Sequence, residues 1–283
     1  MAARPKTLPA AAAPVIVGTA LAFRDGVFRP GPALAALLGA LLIQIGTNLA
    51  NDYFDFRKGA DTEERLGPVR VTQAGLLTPE EVARGMWIAF RLATLAGVYL
   101  ISVAGWGVVW IGVFSILAGI AYTGGPFPLG YHGFGEIAVF IFFGLVAVNG
   151  TYYVQGGTLT LGGVWASLSI GLLASAILVV NNLRDIVTDA KAGKRTLAVR
   201  LGETRTRIEY DVLCGAAYAV PVLMWALKLT SPWVMLAWLS GYRLFPLLKT
   251  IYTQKGRTLN AVLAGTGRLE LEFAILFAVG LLL

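Results

Sequence analysis

Two polar runs carry the chemistry of an otherwise apolar chain. The first reads Asn48-Leu-Ala-Asn51-Asp52-Tyr53-Phe54-Asp55-Phe-Arg57-Lys58. The second reads Asn181-Asn182-Leu-Arg184-Asp185-Ile-Val-Thr-Asp189-Ala-Lys191-Ala-Gly193-Lys194-Arg195. On a helix, Asn48, Asp52 and Asp55 fall at i, i+4, i+7, and Asn181, Asp185 and Asp189 at i, i+4, i+8. Each trio therefore occupies one helix face. Carboxylates at a membrane boundary are costly unless neutralised. Hard oxygen donors from two helices suit Mg²⁺, which takes few carboxylates and fills its shell with substrate phosphate oxygens. The Lys and Arg residues that follow each trio can hold the same phosphates. The pair reads as a clamp for a diphosphate, with metal ligands Asn48, Asp52, Asp55, Asp185 and Asp189, and with Lys58, Asn181, Lys194 and Arg195 on the diphosphate. One acidic pair at a helix end is explained by contact with water and headgroups. Two alike, in like positions, argue for a shared ligand. An ion or proton pathway is the competing reading, and it places acids deep within spans rather than at their ends.

Two loops add candidates. After the first run comes Asp61-Thr-Glu63-Glu64-Arg65-Leu-Gly67-Pro68-Val-Arg70-Val-Thr72-Gln73. Its Arg70 can pair with a diphosphate and its Gln73 can hydrogen-bond an acceptor; the alternative is a solvated loop with an Arg–Glu network. Residues 122–136 form a Gly- and Pro-rich stretch that permits close backbone approach to a ligand. Tyr122 offers a phenol there, although Tyr also belongs at membrane interfaces. His132, the single histidine, reads as a loop residue rather than a base and leaves no His cluster for zinc.

The elements that must position these residues are membrane helices. Of 283 residues, 57% are hydrophobic and 14% charged, and the mean hydropathy is +0.70. Those values exclude a disordered chain and argue against a soluble domain. A span needs roughly 20 apolar residues. Nine apolar segments meet that approximate length, near 8–23, 33–53, 84–104, 106–123, 134–154, 163–182, 210–227, 231–251 and 259–283, with Gly and Pro at most junctions. The expected architecture is an all-α polytopic bundle of about nine transmembrane helices, in one domain spanning 1–283. Arg4 and Lys6 before the first segment and Ala20-Leu21-Ala22 within it resemble a signal peptide, but the spans that follow favour an uncleaved first helix. With the N-terminus inside, 17 Lys and Arg fall in inner loops against three (Arg24, Arg29, Lys228) in outer ones, which places the N-terminus and both acidic runs on the cytoplasmic side. The formal charge of +7 reads as this topology and not as a nucleic-acid surface. Cys214 is the sole cysteine, so no intrachain disulfide forms.

These runs resemble the UbiA superfamily of intramembrane prenyltransferases. The resemblance rests on Asn48…Asn51-Asp52-x-x-Asp55, on Asp185-x-x-x-Asp189, on the opening Arg4-Pro-Lys-Thr-Leu, and on 194–202. Residues 51–61, 67–77 and 122–136 are most similar to the branch acting on 1,4-dihydroxy-2-naphthoate. The resemblance implies a nine-helix bundle opening to the cytoplasm and laterally to lipid, with Mg²⁺ holding a polyprenyl diphosphate between the two acidic motifs. It implies catalytic roles for Asp52, Asp55, Asp185, Asp189 and Tyr122. The reaction implied is transfer of the polyprenyl group to dihydroxynaphthoate, with loss of diphosphate and CO₂, giving demethylmenaquinol in a bacterial inner membrane. Some hydroxybenzoate-type members carry a lysine four residues after the tyrosine; here that residue is Pro126, which weakens a hydroxybenzoate assignment and leaves the cations to Lys58, Arg70, Lys194 or Arg195. The alternatives are another aromatic acceptor, such as 4-hydroxybenzoate or homogentisate, and, from a different class, an ion-coupled transporter. Prenyl length and oligomeric state are left open.

Overall fold

The structure is a computed structural model. It describes residues 4–60, 66–68 and 70–283, with Lys6 described in its backbone alone. The candidates Asp61, Glu63, Glu64 and Arg65 lie outside the described residues.

Among the described residues nine helical spans follow one another. A short 3₁₀ turn, Pro5–Thr7, leads into α1 (Leu8–Arg24). Next come α2 (Pro30–Arg57), α3 (Pro79–Ala104) and α4 (Gly107–Ala121). Then follow α5 (Gly135–Gly156), α6 (Leu161–Lys191) and α7 (Leu197–Ala226). The eighth span, α8, starts as a 3₁₀ segment, Pro232–Ser240, and continues as an α-helix, Gly241–Thr253. The last is α9 (Leu259–Leu282). Five of these (α2, α3, α5, α6 and α7) are each long and apolar enough to cross a membrane, and large apolar side chains such as Leu95, Trp110, Phe114, Trp233 and Phe245 stand exposed on the outside of the bundle. A surface of that kind needs lipid as its solvent. The chain is an integral membrane protein.

Local chemistry sets the helix ends. Proline occupies the first position of α2 and α3, where its missing N–H costs nothing. Thr78 begins α3 with a reciprocal cap: its hydroxyl accepts from the Glu81 N–H while the Glu81 carboxylate accepts from the Thr78 N–H. Thr160 and Thr196 cap α6 and α7 through their hydroxyls. Gly105, at φ 81°, splits α3 from α4 where the sequence offers a single glycine.

Three helices outrun their apolar segments. The apolar run predicted for the second span ends near 53, yet α2 continues to Arg57; the sixth ends near 182, yet α6 continues to Lys191. The seventh begins at Leu197 rather than near 210, bending at Gly202 (φ 79°). Hydropathy sees the lipid-embedded part of a helix and is blind to a polar overhang. The acids ride on those overhangs.

Helix α6 is central. Two thirds of its apolar window is buried (67%), against 28% for α2 and for α3. Its core residues Ile170, Leu173 and Val179 join α1, α7, α8 and α9 in one large apolar cluster. A smaller cluster of Leu49, Val71, Met86 and Phe90 ties α2 to α3 and to the loop between them, with Ile116 and Ile120 of α4 against it. Between the two lies an apolar cavity of about 200 Å³ walled by α1 to α5.

Candidate active site at the mouth of the bundle

Helix α2 lines up Gln44, Thr47, Asn48, Asn51, Asp52 and Asp55 toward its C-terminal end. Asp52 and Asp55 are each 98% buried, so both must be satisfied by protein groups. The loop after α2 does this. Asp52 accepts the backbone N–H groups of Val71 (3.1 Å) and Thr72 (3.3 Å). Asp55 accepts from Arg70 Nη2 at 2.8 Å on Oδ2 and from the Tyr131 hydroxyl at 2.7 Å on Oδ1, and Lys194 Nζ lies 3.4 Å from that same Oδ1. Arg70 is buried and paired with Asp55; the glutamates of the alternative Arg–Glu network lie outside the described residues. Asn48 donates to the Thr7 hydroxyl at 3.0 Å, which pins the start of α1 to α2.

The second acidic run meets the first through Lys194. Its ammonium lies 3.4 Å from Asp55 and 3.8 Å from Asp189. The turn after α6 makes this possible: Gly193 at φ 75° reverses the chain, and the Lys194 N–H bonds the Asp189 carbonyl. Asp185 takes a different partner. It forms a fork with Nε and Nη2 of Arg184; the same Nη2 also donates to Asn181 (2.9 Å), and Nη1 donates to Asn260 (2.8 Å). Arg184 is fully buried. The sequence places it among inner-loop cations, but it sits inside the bundle, tying α6 to α9. Asn260 in turn donates to the Leu66 carbonyl, so the Arg184 network reaches the loop that carries Arg70.

Tyr131 is the residue that sequence reasoning missed. Lys58 and Lys194 lie 4.9 and 4.6 Å from its ring centre, within cation–π range. Its hydroxyl bonds Asp55 and its carbonyl accepts the Arg195 N–H. One side chain thus sits among both lysines and an acid. The signal was its place in the Gly- and Pro-rich stretch, where attention went to Tyr122 and His132. His132 stacks on Phe127 at 4.0 Å and contacts the Pro128 carbonyl, a loop-building role. Lys58 also donates to the Thr123 carbonyl at 2.7 Å. Burial lowers its pKa from the ordinary value and the neighbouring Lys194 adds to this, while Asp55 pulls the other way.

The remaining candidates divide. Tyr122 lies within the bundle, lining the apolar cavity, with its hydroxyl against Gly135, where a Cβ would stand 3.1 Å away. Gln73 is half-buried in the turn after Thr72, and the Arg195 residue is exposed at the mouth. Asn181 supports Arg184. Its neighbour Asn182, not singled out from sequence, donates to Glu136 at 2.7 Å. Among the described residues no three acidic, His or Cys side chains converge as a ready metal cage. Cations and backbone N–H groups hold the acids instead. The donor set still suits Mg²⁺: four carboxylates and amide oxygens, all hard ligands, beside three cations of the kind a diphosphate attracts.

The described residues form a polytopic helical bundle whose two acid-rich helix ends are joined by Lys194, beside an apolar cavity. The model of the UbiA prenyltransferase family matches residues 11–263, and the chain belongs to that family. It is 39% identical to a 1,4-dihydroxy-2-naphthoate octaprenyltransferase of Haemophilus influenzae, over 99% of this chain and 94% of the relative. It is 41% identical to the protein of that name in Mycobacterium tuberculosis, over 98% and 94%. Among solved structures, a UbiA homologue from Aeropyrum pernix matches with a TM-score of 0.72 at 16% identity, over 98% of this chain and 97% of that one. A UbiA homologue from Archaeoglobus fulgidus bound to DMAPP and Mg²⁺ matches at 0.69 and 14%, over 99% and 97%. At such identities the solved structures speak for the fold. The chain is a prenyltransferase.

Proposed function

We propose that this chain, one transmembrane domain over 1–283 in a bacterial inner membrane, transfers a polyprenyl group from polyprenyl diphosphate to 1,4-dihydroxy-2-naphthoate. Near-full-length relatives bearing that activity in their names support the acceptor. The observation that carries the site is Lys194, poised between Asp55 of the first acidic run and Asp189 of the second.

In this reading Arg70 and Lys194 exchange part of their hold on the acids, and Lys58 its hold on the Thr123 carbonyl, for the diphosphate, and Arg195 and Gln73 stand at the rim to meet it. Asp52, Asp55, Asp185 and Asp189, with Asn48, would hold Mg²⁺, which supplies Lewis-acid stabilisation to the diphosphate. The cations stabilise the group that gains charge as the prenyl C1–O bond breaks. Tyr131 and Tyr122 present ring faces near the cationic carbon. The acceptor's ring carbon forms the bond to C1, and the carboxylate on that carbon leaves as CO₂, its electron pair returning to the ring. Diphosphate and CO₂ are the two products released beside the prenylated quinol. The apolar cavity keeps water from the cation and houses the tail. The mouth faces the cytoplasm, and the outer surface of the bundle meets lipid.

The test is a product assay on detergent-purified protein with dihydroxynaphthoate and a polyprenyl diphosphate, with Mg²⁺ or EDTA, read by mass spectrometry. A decarboxylated, prenylated naphthoquinol formed only with the metal is the expected result. A product from 4-hydroxybenzoate or homogentisate instead would reassign the acceptor. Failure with every acceptor, together with uptake of unmodified substrate into sealed vesicles, would move the chain to the transporter reading.

A further inference from the structure

Four glycines from four helices meet at one depth of the cavity. Contacts between the helices fix their register. On α2 and α3, which run antiparallel, Gly46 stands against Phe90 and Leu49 against Gly85. Seven residues back along α2 and seven on along α3, Gly39 therefore stands level with Gly97. On α2 and α4, which run parallel, Thr47 stands against Gly119, so eight residues back Gly39 is level with Ile111 and its neighbour Gly112. On α5, Gly150 stands against Ile111. All four glycines line the cavity.

The space beside them is open. A Cβ on Gly39, Gly97 or Gly112 would meet nothing within 4 Å, and on Gly150 it would make ordinary contact with Ile111 at 3.6 Å. The cavity wall nearer the mouth is different: beside Gly119, two turns closer to Tyr122 than Gly112, the space is filled by the Thr47 side chain. Helical glycine is unfavourable in itself, so four at one level, three facing empty space, imply a collar kept clear for an occupant. The collar lies thirteen residues from Asp52 along α2, roughly 20 Å at the helical rise. An isoprene unit spans four chain bonds, about 5 Å when extended. The collar is thus about four isoprene units from the diphosphate.

We infer that Gly39, Gly97, Gly112 and Gly150 form a collar that admits the prenyl tail beyond about its fourth unit and so sets which donor lengths the enzyme accepts. The inference rests on the prenyl-transfer reading of the site. Larger side chains at the collar shorten the accepted donor without touching the reacting end.

The experiment compares farnesyl and octaprenyl diphosphate, three and eight units, on wild type and on Gly39→Phe, Gly97→Leu and Gly112→Leu. Binding of each radiolabelled donor is measured as well as turnover, so a wrong acceptor leaves this test standing. The expected result is that the octaprenyl-to-farnesyl ratio, in binding and in turnover, falls at least tenfold in each folded variant. Three separate helices are probed, so loss of one variant to misfolding leaves two. Gly215→Leu, on an exposed face of α7 with equally open space, controls for adding bulk to a membrane helix and should keep the wild-type ratio. An unchanged ratio in the folded collar variants, or an equal fall in Gly215→Leu, overturns the collar. If wild type binds neither donor, the prenyl-transfer reading itself fails.

Discussion

At the residue scale the site is a balance of charges held dry. Asp55 collects Arg70, Lys194 and the Tyr131 hydroxyl at once, and such partners offset the cost of burying it. Removing its charge leaves three donors competing for an amide. Asp55→Asn should cut turnover by about 10²–10³, the usual cost of one preorganised electrostatic group, while the melting temperature in detergent moves by a few degrees. Turnover within threefold of wild type would take Asp55 out of the chemistry. Arg70→Ala should raise the donor KM about tenfold, in line with the 1.5–3 kcal/mol of a charged hydrogen bond, and Arg70→Lys should restore part of it. An unchanged KM would make Arg70 a strut for the loop. Tyr131 separates into two functions: Tyr131→Phe keeps the ring beside Lys58 and Lys194 and loses the bond to Asp55, whereas Tyr131→Leu loses both. Steady-state kinetics should rank wild type above Phe above Leu; equal Phe and Leu variants would dismiss the ring. The acid trios were legible because helical spacing alone puts them on a face. Tyr131 and Arg184 were not, since their importance comes from partners 76 residues away in each case, Asp55 and Asn260, and no local spacing encodes such a contact.

At the element scale the bundle is set by close approaches between backbones. Helix α5 widens to π-type turns over Phe140–Val146, and there Gly144 comes so near α6 that a Cβ would stand 2.7 Å from the Gly171 Cα and 2.8 Å from the Ser167 carbonyl. Both neighbours are backbone and cannot swing aside. Gly144→Ala should therefore destabilise the fold by about 1–3 kcal/mol, the range for overpacking, seen as a lower melting temperature. Gly112→Ala, facing open cavity, should be neutral or slightly stabilising because alanine favours the helix. Equal melting temperatures for the two variants would mean that α5 and α6 can separate freely. The nine spans themselves were legible, since a membrane demands one apolar run per crossing. The polar overhangs of α2, α6 and α7 were not. Arg207 shows why: it lies in the polar first part of α7, reads as an inner-loop cation, and is in fact buried, donating to the Ile251 and Gln254 carbonyls at the end of α8. A helix whose charges cap its neighbours has no hydropathy signature.

At the scale of the whole molecule, orientation decides which compartment supplies the substrates. The positive-inside argument survives the burial of Arg70, Arg184 and Arg207, because the inner side keeps most of its cations without them and the outer loops hold three. Helix α6 offers a direct measurement. Its 31 residues span roughly 46 Å, more than the ~30 Å of a bilayer core, so both of its ends emerge from lipid. Leu159, before its start, and Ala192, after its end, are both exposed, and the native Cys214 is fully buried and gives no background. In intact cells a membrane-impermeant maleimide should label Leu159→Cys and spare Ala192→Cys until the membrane is permeabilised. The reverse pattern would put the acidic mouth on the outer face, where a diphosphate made in the cytoplasm does not reach it, and the charge bias would then be the work of the site rather than of topology. The expected pattern joins the two: the cations that orient the chain during insertion stand at the same helix ends as the acids, so the side of the membrane that receives the positive loops is also the side from which the clamp is filled.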